Sequence, residues 1–248
     1  MADARRLCAP PGVCEHSRAW LLAALSPSAT CRHSITGCSA LYGKEVASTV
    51  AVLRVLDEAT RTSIQQALSE CADLARSEVL LRHRGDFEGL IPNADECNQP
   101  AKSAKRKGVT WAMQLGTEMH EEALKCAEER LGLLRPGGFS LEQRYRYDSR
   151  TRRWKRVSPD EEKALHESGN GGELKGTLKP DVVIHSGDPL KAEAIYDYKF
   201  PCNDPNSIPD WTHYTEGPYR GLTQQRVYQN ALGGALPVRI VPRWGLIE

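Results

Sequence analysis

Residues 179–200 read KPDVVIHSGDPLKAEAIYDYKF, and the way this stretch folds back on itself decides how the rest of the chain is read. Val182-Val183-Ile184 and Ala192–Tyr198 are strand-like, rich in β-branched and aromatic residues. Ser186-Gly187-Asp188-Pro189 between them is turn chemistry. Residues paired across a symmetric turn centred near 188 or 189 have numbers that sum to about 377, and Asp181 with Asp197 sums to 378. An antiparallel hairpin therefore sets the two carboxylates opposite each other, about 5 Å apart at the β-carbon. Lys199 lies two residues beyond Asp197 and shares its face, while Tyr196 and Tyr198 point to the other.

A plain core strand gains nothing from ending in buried charges. Two carboxylates so close repel unless a cation bridges them or one keeps a proton. Oxygen donors suit magnesium or manganese. A lysine beside such an ion orients an attacking water or stabilises developing negative charge. The expected chemistry is hydrolysis of a phosphodiester bond. The plainer alternative is a surface hairpin in which Lys199 pairs with one aspartate.

The whole chain sets the limits on that reading. Its 248 residues, 40% hydrophobic and 26% charged, suit one large domain or a catalytic domain with an appendage. A net charge of +1 gives no global field that would advertise a polyanion as partner. The charge is unevenly shared: residues 1–100 are mildly acidic and 101–248 mildly basic. No apolar run approaches the ~20 residues of a membrane-spanning helix. The run Ala19–Leu25, AWLLAAL, sits behind Pro10-Pro11 and reads as a short buried helix, not a secretion signal. The eight cysteines include no CxxC pair; for the first four, Cys8, Cys14, Cys31 and Cys38, the wide, irregular spacing favours buried thiols over a zinc site, with disulfides open to a chain working outside the reducing cytosol.

Apolar residues recur at helical spacing from Lys44 to about Arg84, among them Ile64, Leu68, Cys71 and Leu74, as one long helix or a helical hairpin. Residues 85–108 read as a linker that ends in the basic run KSAKRK. The spacing predicts a second helix from Trp111 to Gly132, with Met113, Gly116, His120, Ala123, Ala127 and Leu131 near one face. FSLEQRYRYD followed by SRT and RRWKRV predicts one hairpin, and a polar, Gly-rich loop is expected over 158–176.

Four motifs in order carry a family resemblance. Pro180-Asp181 and Asp197-Tyr198-Lys199 resemble the signature of the PD-(D/E)XK nuclease superfamily. GTEMH, Gly116 to His120, looks like the GxxxH motif of its RecB-like branch, and QQRVY, Gln224 to Tyr228, looks like that branch's QxxxY motif. The likeness covers roughly Trp111 to Gly234 and leaves residues 1–100 out. It implies an α/β fold with a restriction-endonuclease-like core, a mixed central sheet flanked by helices, occupying 101–248 behind an N-terminal helical region and linker at 1–100. It also implies a magnesium- or manganese-dependent deoxyribonuclease. In it Asp181 and Asp197 are metal ligands, Lys199 activates the water, His120 is a further ligand, and Gln224 with Tyr228 orients the lysine or the nucleic acid backbone. Glu121, a near neighbour of His120 at about 100° per residue, is the second choice for the metal; Glu118 and Glu122 are expected on a solvated face.

RYRYDSRTRRWKR holds seven Arg or Lys in thirteen residues, with Tyr145, Tyr147 and Trp154 interleaved. Arg144, Arg146, Arg152 and Arg153 are candidates for phosphate contact, and the aromatics either stack on bases or face the sheet core. PNADECNQP, YDYKFPCNDP and the short tail after the QxxxY segment look like the restriction-endonuclease-type toxin domains of bacterial polymorphic toxins, including type VI secretion effectors. That likeness implies DNA as substrate, a cognate immunity protein, synthesis in a bacterial cytoplasm and delivery into a target cell's cytoplasm. A repair or recombination nuclease is the alternative within the same chemistry, and a non-catalytic interaction protein on the same fold is the alternative outside it.

Overall fold

The quoted stretch forms the centre of a mixed sheet. In the computed structural model, which describes residues 56–102, 108–204 and 206–248, helix α1 (Glu58–Arg82) is followed by α2 (Ala94–Asn98), α3 (Trp111–Leu134), strands β1 (Phe139–Leu141), β2 (Arg144–Asp148) and β3 (Arg153–Val157), then α4 (Pro159–Glu167), β4 (Val182–His185), β5 (Ala192–Tyr198), α5 (Gln224–Ala231), β6 (Pro237–Val241) and β7 (Gly245–Ile247). The order across the main sheet is β1-β4-β5-β6-β7. β5 and β6 are parallel, joined by a crossover that contains α5, and the other neighbours are antiparallel. β2 and β3 form a separate two-stranded ribbon. The α/β class with helices flanking a mixed sheet is as the sequence predicts.

The hairpin register also agrees. Val182 pairs with Tyr196, Val183 with Ile195 and Ile184 with Ala194, so the next position outward sets Asp181 against Asp197. A bulge at Ile184/His185 takes up the asymmetry of the turn. The period of two sorts β5 cleanly. Ala194, Tyr196 and Tyr198 join Ile64, Leu68, Ala72 and Ala75 of α1 and Ala123, Ala127 and Leu131 of α3 in one core layer. Ile195 faces the opposite layer, with Val227, Tyr228 and Ala231 of α5 and with Tyr145 and Leu178. A third cluster, Val79, Phe87, Trp111, Leu115 and Met119, joins the C-terminal end of α1 to the start of α3.

Several expectations need correction. The buried face of α3 is Trp111, Leu115, Met119, Ala123, Ala127 and Leu131, with Met113 exposed, because tertiary packing selects the stripe one position away from the one read at its start. On α1, Ile64, Leu68 and Cys71 are buried as expected but Leu74 is half exposed. The predicted hairpin over 139–157 is broken at Glu142, whose φ of 45° turns the chain, so that β1 joins the main sheet and β2 leaves it. The polar stretch over 158–176 is not a loop throughout: Ser158 accepts from Glu161 N, Pro159 fills the first turn and α4 follows. The linker at 85–108 contains α2, closed by a reciprocal capping box between Asn93 and Glu96.

Among the described residues two cysteine pairs are disulfides, Cys71–Cys126 between α1 and α3 and Cys97–Cys202 between α2 and the segment after β5. Disulfides are the possibility that the sequence left open. Helix α1 supplies four side chains to the main core, and the described residues all belong to one compact unit, Leu53–Glu248. The boundary expected at 100 therefore falls inside a single body. Cys8, Cys14, Cys31, Cys38, the AWLLAAL run, the start of the helical periodicity and most of KSAKRK lie outside the described residues.

Candidate active site

Four sequence segments deliver six side chains to one edge of the β4–β5 hairpin. Asp181 and Asp197 are buried at its open end, 7% and 3% exposed, deep enough that each carboxylate needs a partner. Asp181 Oδ2 accepts from Tyr198 N at 2.7 Å and faces His120 Nδ1 at 3.4 Å. Asp197 Oδ2 pairs with Lys199 Nζ at 2.6 Å. Gln224, in the first turn of α5, ties the set together. Its Oε1 accepts from Lys199 Nζ at 2.9 Å, and its Nε2 donates to Tyr228 Oη at 2.9 Å and reaches Asp197 Oδ1 at 3.4 Å. These contacts fix the orientation of the amide.

Each position has a local cause. β5 ends where Lys199 N donates to Ile240 O, the last rung of the parallel ladder with β6, so Asp197 and Lys199 share a rigid face. α5 starts at a Thr223 cap, which accepts from Arg226 N, and Gln224 N donates to Thr212 O. Gln224 and Tyr228 stand one turn apart on the same helix face. His120 is packed edge-on against the stacked rings of Tyr198 and Phe200.

Electrostatics follow from the burial. Desolvation and the charge of Asp181 push the Asp197 carboxyl from its usual 3.8 to about 6, with Lys199 and His120 opposing. For His120, burial works against the charged ring, but the bond to Asp181 and the charges of Asp181 and Asp197 outweigh it and the pKa rises. Burial, then Asp197, drives Tyr228 well above the phenolic range, so it stays a neutral donor and acceptor.

The remaining candidates fall elsewhere. Glu121 is exposed and makes none of these contacts. Glu118 and Glu122 are not simply solvated: Glu118 pairs with His83 at 2.8 Å and Glu122 with Arg82 at 2.6 Å, which holds α1 to α3. Arg144 is taken by Glu162 and Thr177, and Arg146 by Glu161, both acids being on α4, where a loop was expected. Arg152, in a left-handed conformation, and Arg153 are exposed at the ribbon turn. Tyr145 faces the core as one expectation had it, whereas Tyr147 is 45% exposed.

Two site residues escaped the motif reading. The Trp211 ring lies 5.3 Å from Lys199 Nζ, a cation–π contact that holds the ammonium in place from the far side. Tyr214 is raised by burial and by the nearby Asp197 charge. Both come from the irregular segment 201–223, and the only sign of them is three aromatics, with Tyr219, in an otherwise polar loop. A Ser140–His185 pair at 3.0 Å resembles a nucleophile and its base, but its polarity is reversed. His185 Nδ1 accepts from Gly187 N, so Nε2 carries the proton and donates to the hydroxyl.

Among the described residues no three His, Cys, Asp or Glu side chains converge as a ready-made metal cage. The donor set still fits a hard cation. Magnesium is commonly held through one or two carboxylates, with waters and substrate phosphate completing the shell. Two buried carboxylates, one of them left half protonated near pH 6 by burial and then by the other's charge, are such a pair. Comparison with protein-family models, with curated proteins and with solved structures returns no match.

Proposed function

We propose that this chain is a magnesium- or manganese-dependent nuclease that hydrolyses phosphodiester bonds of DNA. The observation that carries the reading is the convergence of two bonded sets, His120 with Asp181 and Asp197 with Lys199, Gln224 and Tyr228, drawn from four separated segments and set side by side by the β4–β5 pairing. Asp181 and Asp197 would hold the cation, with His120 beside Asp181. When bound, the ion would supply Lewis-acid stabilisation of phosphate charge and a more acidic water. Lys199 sets a positive charge at the mouth of the carboxylate pair, where charge builds on phosphorus oxygens. Gln224 holds that ammonium by its oxygen while its nitrogen keeps Tyr228 and Asp197 aligned. His120, raised in pKa, keeps Asp181 turned toward its partner carboxylate.

Delivery as an antibacterial effector belongs to the same proposal. It is supported by two disulfides, which persist in chains that pass through oxidising compartments. A cognate immunity protein would then protect the producing cell.

One observation favours a second reading, a non-catalytic binding protein: Lys199 and His120 already balance the two carboxylates without any added ion. Cleavage decides between them. Plasmid DNA and RNA are incubated with the full chain in Mg²⁺, in EDTA, and with Asp181→Ala, Asp197→Ala or Lys199→Ala. Metal-dependent cutting of plasmid, lost by at least about a hundredfold in each folded variant, is expected. Full activity in folded Asp197→Ala would sink the site, and calorimetric titration showing no Mg²⁺ binding would favour the second reading.

A further inference from the structure

Between the β2–β3 ribbon, the Lys175-Gly176 turn and α5 lies a cleft of about 580 Å³, within the roughly 300–1,000 Å³ range of small-ligand sites. Its walls are aromatic. Tyr147 and Trp154, a cross-strand pair, have ring centroids 5.4 Å apart; Trp154 and Tyr219 are nearly parallel, 23° between planes, with centroids 6.3 Å apart. Tyr219 in turn touches Tyr214, ring to ring at 5.5 Å, and Tyr214 packs against the cluster that holds Tyr228 of the site. The aromatic series thus runs from the site into the cleft. α5 measures the same path: Gln224 belongs to the site, and Val227 and Asn230 line the cleft, roughly 5 and 9 Å further along the helix.

The polar lining has a sign. Arg146 and Lys175 face one acid, Glu173. Glu161 occupies only Nη1 of Arg146, while its Nε and Nη2 are buried without a hydrogen-bond partner. Donors in that state call for an acceptor. Flat apolar faces beside unsatisfied guanidinium donors and an exposed lysine suit a planar ring attached to a phosphate. A base inside a duplex is stacked on both sides and offers no face.

We infer that this cleft binds an unpaired nucleobase of the substrate strand, stacked on Trp154 and Tyr219, with Arg146 and Lys175 on its phosphates. The inference rests on the hydrolase reading for the word substrate and names its class: single-stranded polynucleotide, or a strand locally opened next to the scissile bond. Arg146 then makes the phosphate contact for which the sequence made it a candidate, from within the cleft.

The test separates the two ideas. Fluorescence anisotropy is measured in EDTA, where no cutting occurs, with labelled oligothymidylate, oligouridylate and a blunt DNA duplex, on the full chain and on Trp154→Ala, Trp154→Phe and Lys175→Ala. The expected result is tighter binding of single strands than of duplex, a loss of about tenfold for single strands in Trp154→Ala, the size of one base–aromatic stack, and recovery in Trp154→Phe. Thymidylate against uridylate tells which sugar is accepted. Lys175 is exposed, so Lys175→Ala reads the phosphate contact even if Trp154→Ala fails to fold, and several-fold weaker binding at low salt is expected. Duplex preference in the unaltered chain, or unchanged single-strand affinity in both folded Trp154→Ala and Lys175→Ala, overturns the cleft assignment. Single-strand binding lost in Trp154→Ala, together with no metal-dependent cutting by the unaltered chain, upholds the cleft and removes the hydrolase.

Discussion

At the scale of residues, the carboxylate pair makes the folded chain sensitive to pH in a definite direction. Asp197 titrates near 6 in the fold against 3.8 ordinarily, so the folded state keeps that proton longer than the unfolded state does. Losing it costs stability, beginning above the unfolded value and complete above about pH 6. His120 is raised above 6.5, so its contribution is present below 6.5 and is lost as pH climbs through its folded value. Both effects have one sign. In EDTA the melting temperature is expected to fall between about pH 5 and about pH 8, and Mg²⁺ is expected to restore it at the upper end by binding the deprotonated pair. A flat profile in EDTA, or no magnesium effect at the upper end, would count against the electrostatics of the pair. Asp181, Asp197 and Lys199 were legible because the hairpin turn is symmetric enough to give the register, and His120, Gln224 and Tyr228 because they fall in the motifs of the family likeness. Trp211 and Tyr214 were not, since an irregular loop has no period from which a side chain's direction can be read.

At the scale of elements, the cleft depends on how closely one turn approaches another. Gly176 has φ of +75°, and a Cβ there would lie 3.2 Å from Pro218 Cγ; its carbonyl accepts from Tyr219 Oη at 2.7 Å. The left-handed backbone favours glycine, and the close approach leaves a Cβ little room unless Pro218 shifts. Gly176→Ala is expected to lower stability by about 1–2 kcal/mol in urea unfolding and to weaken single-strand binding as Tyr219 shifts. Equal midpoints for the two proteins would show that the turn relaxes freely. Element boundaries were less readable in the sequence. α4 is polar on nearly every side and buries no residue, so no apolar stripe announces it; its cap, its first-turn proline and its acids do. β1 and β2 alternate as one strand would, and only the left-handed Glu142 separates them.

At the scale of the whole molecule, α1 is the element whose role the sequence hid. Its periodicity is plain, but a helix pattern does not say which sheet it covers. Ile64, Leu68, Ala72 and Ala75 lie under β4 and β5, and burying an Ile or Leu side chain contributes roughly 1.5–3 kcal/mol. Losing Ile64 and Leu68, with the smaller contacts of Ala72 and Ala75, removes stability comparable to the margin of many domains. A fragment of residues 101–248, the domain the family likeness outlines, is expected to lack cooperative thermal unfolding, whereas the full chain melts with a sharp transition over its described unit. A well-folded 101–248 fragment would show α1 to be dispensable.

The two disulfides have a consequence of another kind, one of connectivity. The loop closed by Cys71–Cys126 and the loop closed by Cys97–Cys202 overlap, since Cys97 lies inside the first and Cys126 inside the second. A single backbone cut anywhere between residues 71 and 202 therefore leaves no free piece. Both fragments stay joined by at least one sulfur bridge, with the carboxylates, the lysine and α5 still on one covalent body. A protease that nicks this chain once within that span changes its sequence of bonds without dividing it, until a reductant arrives.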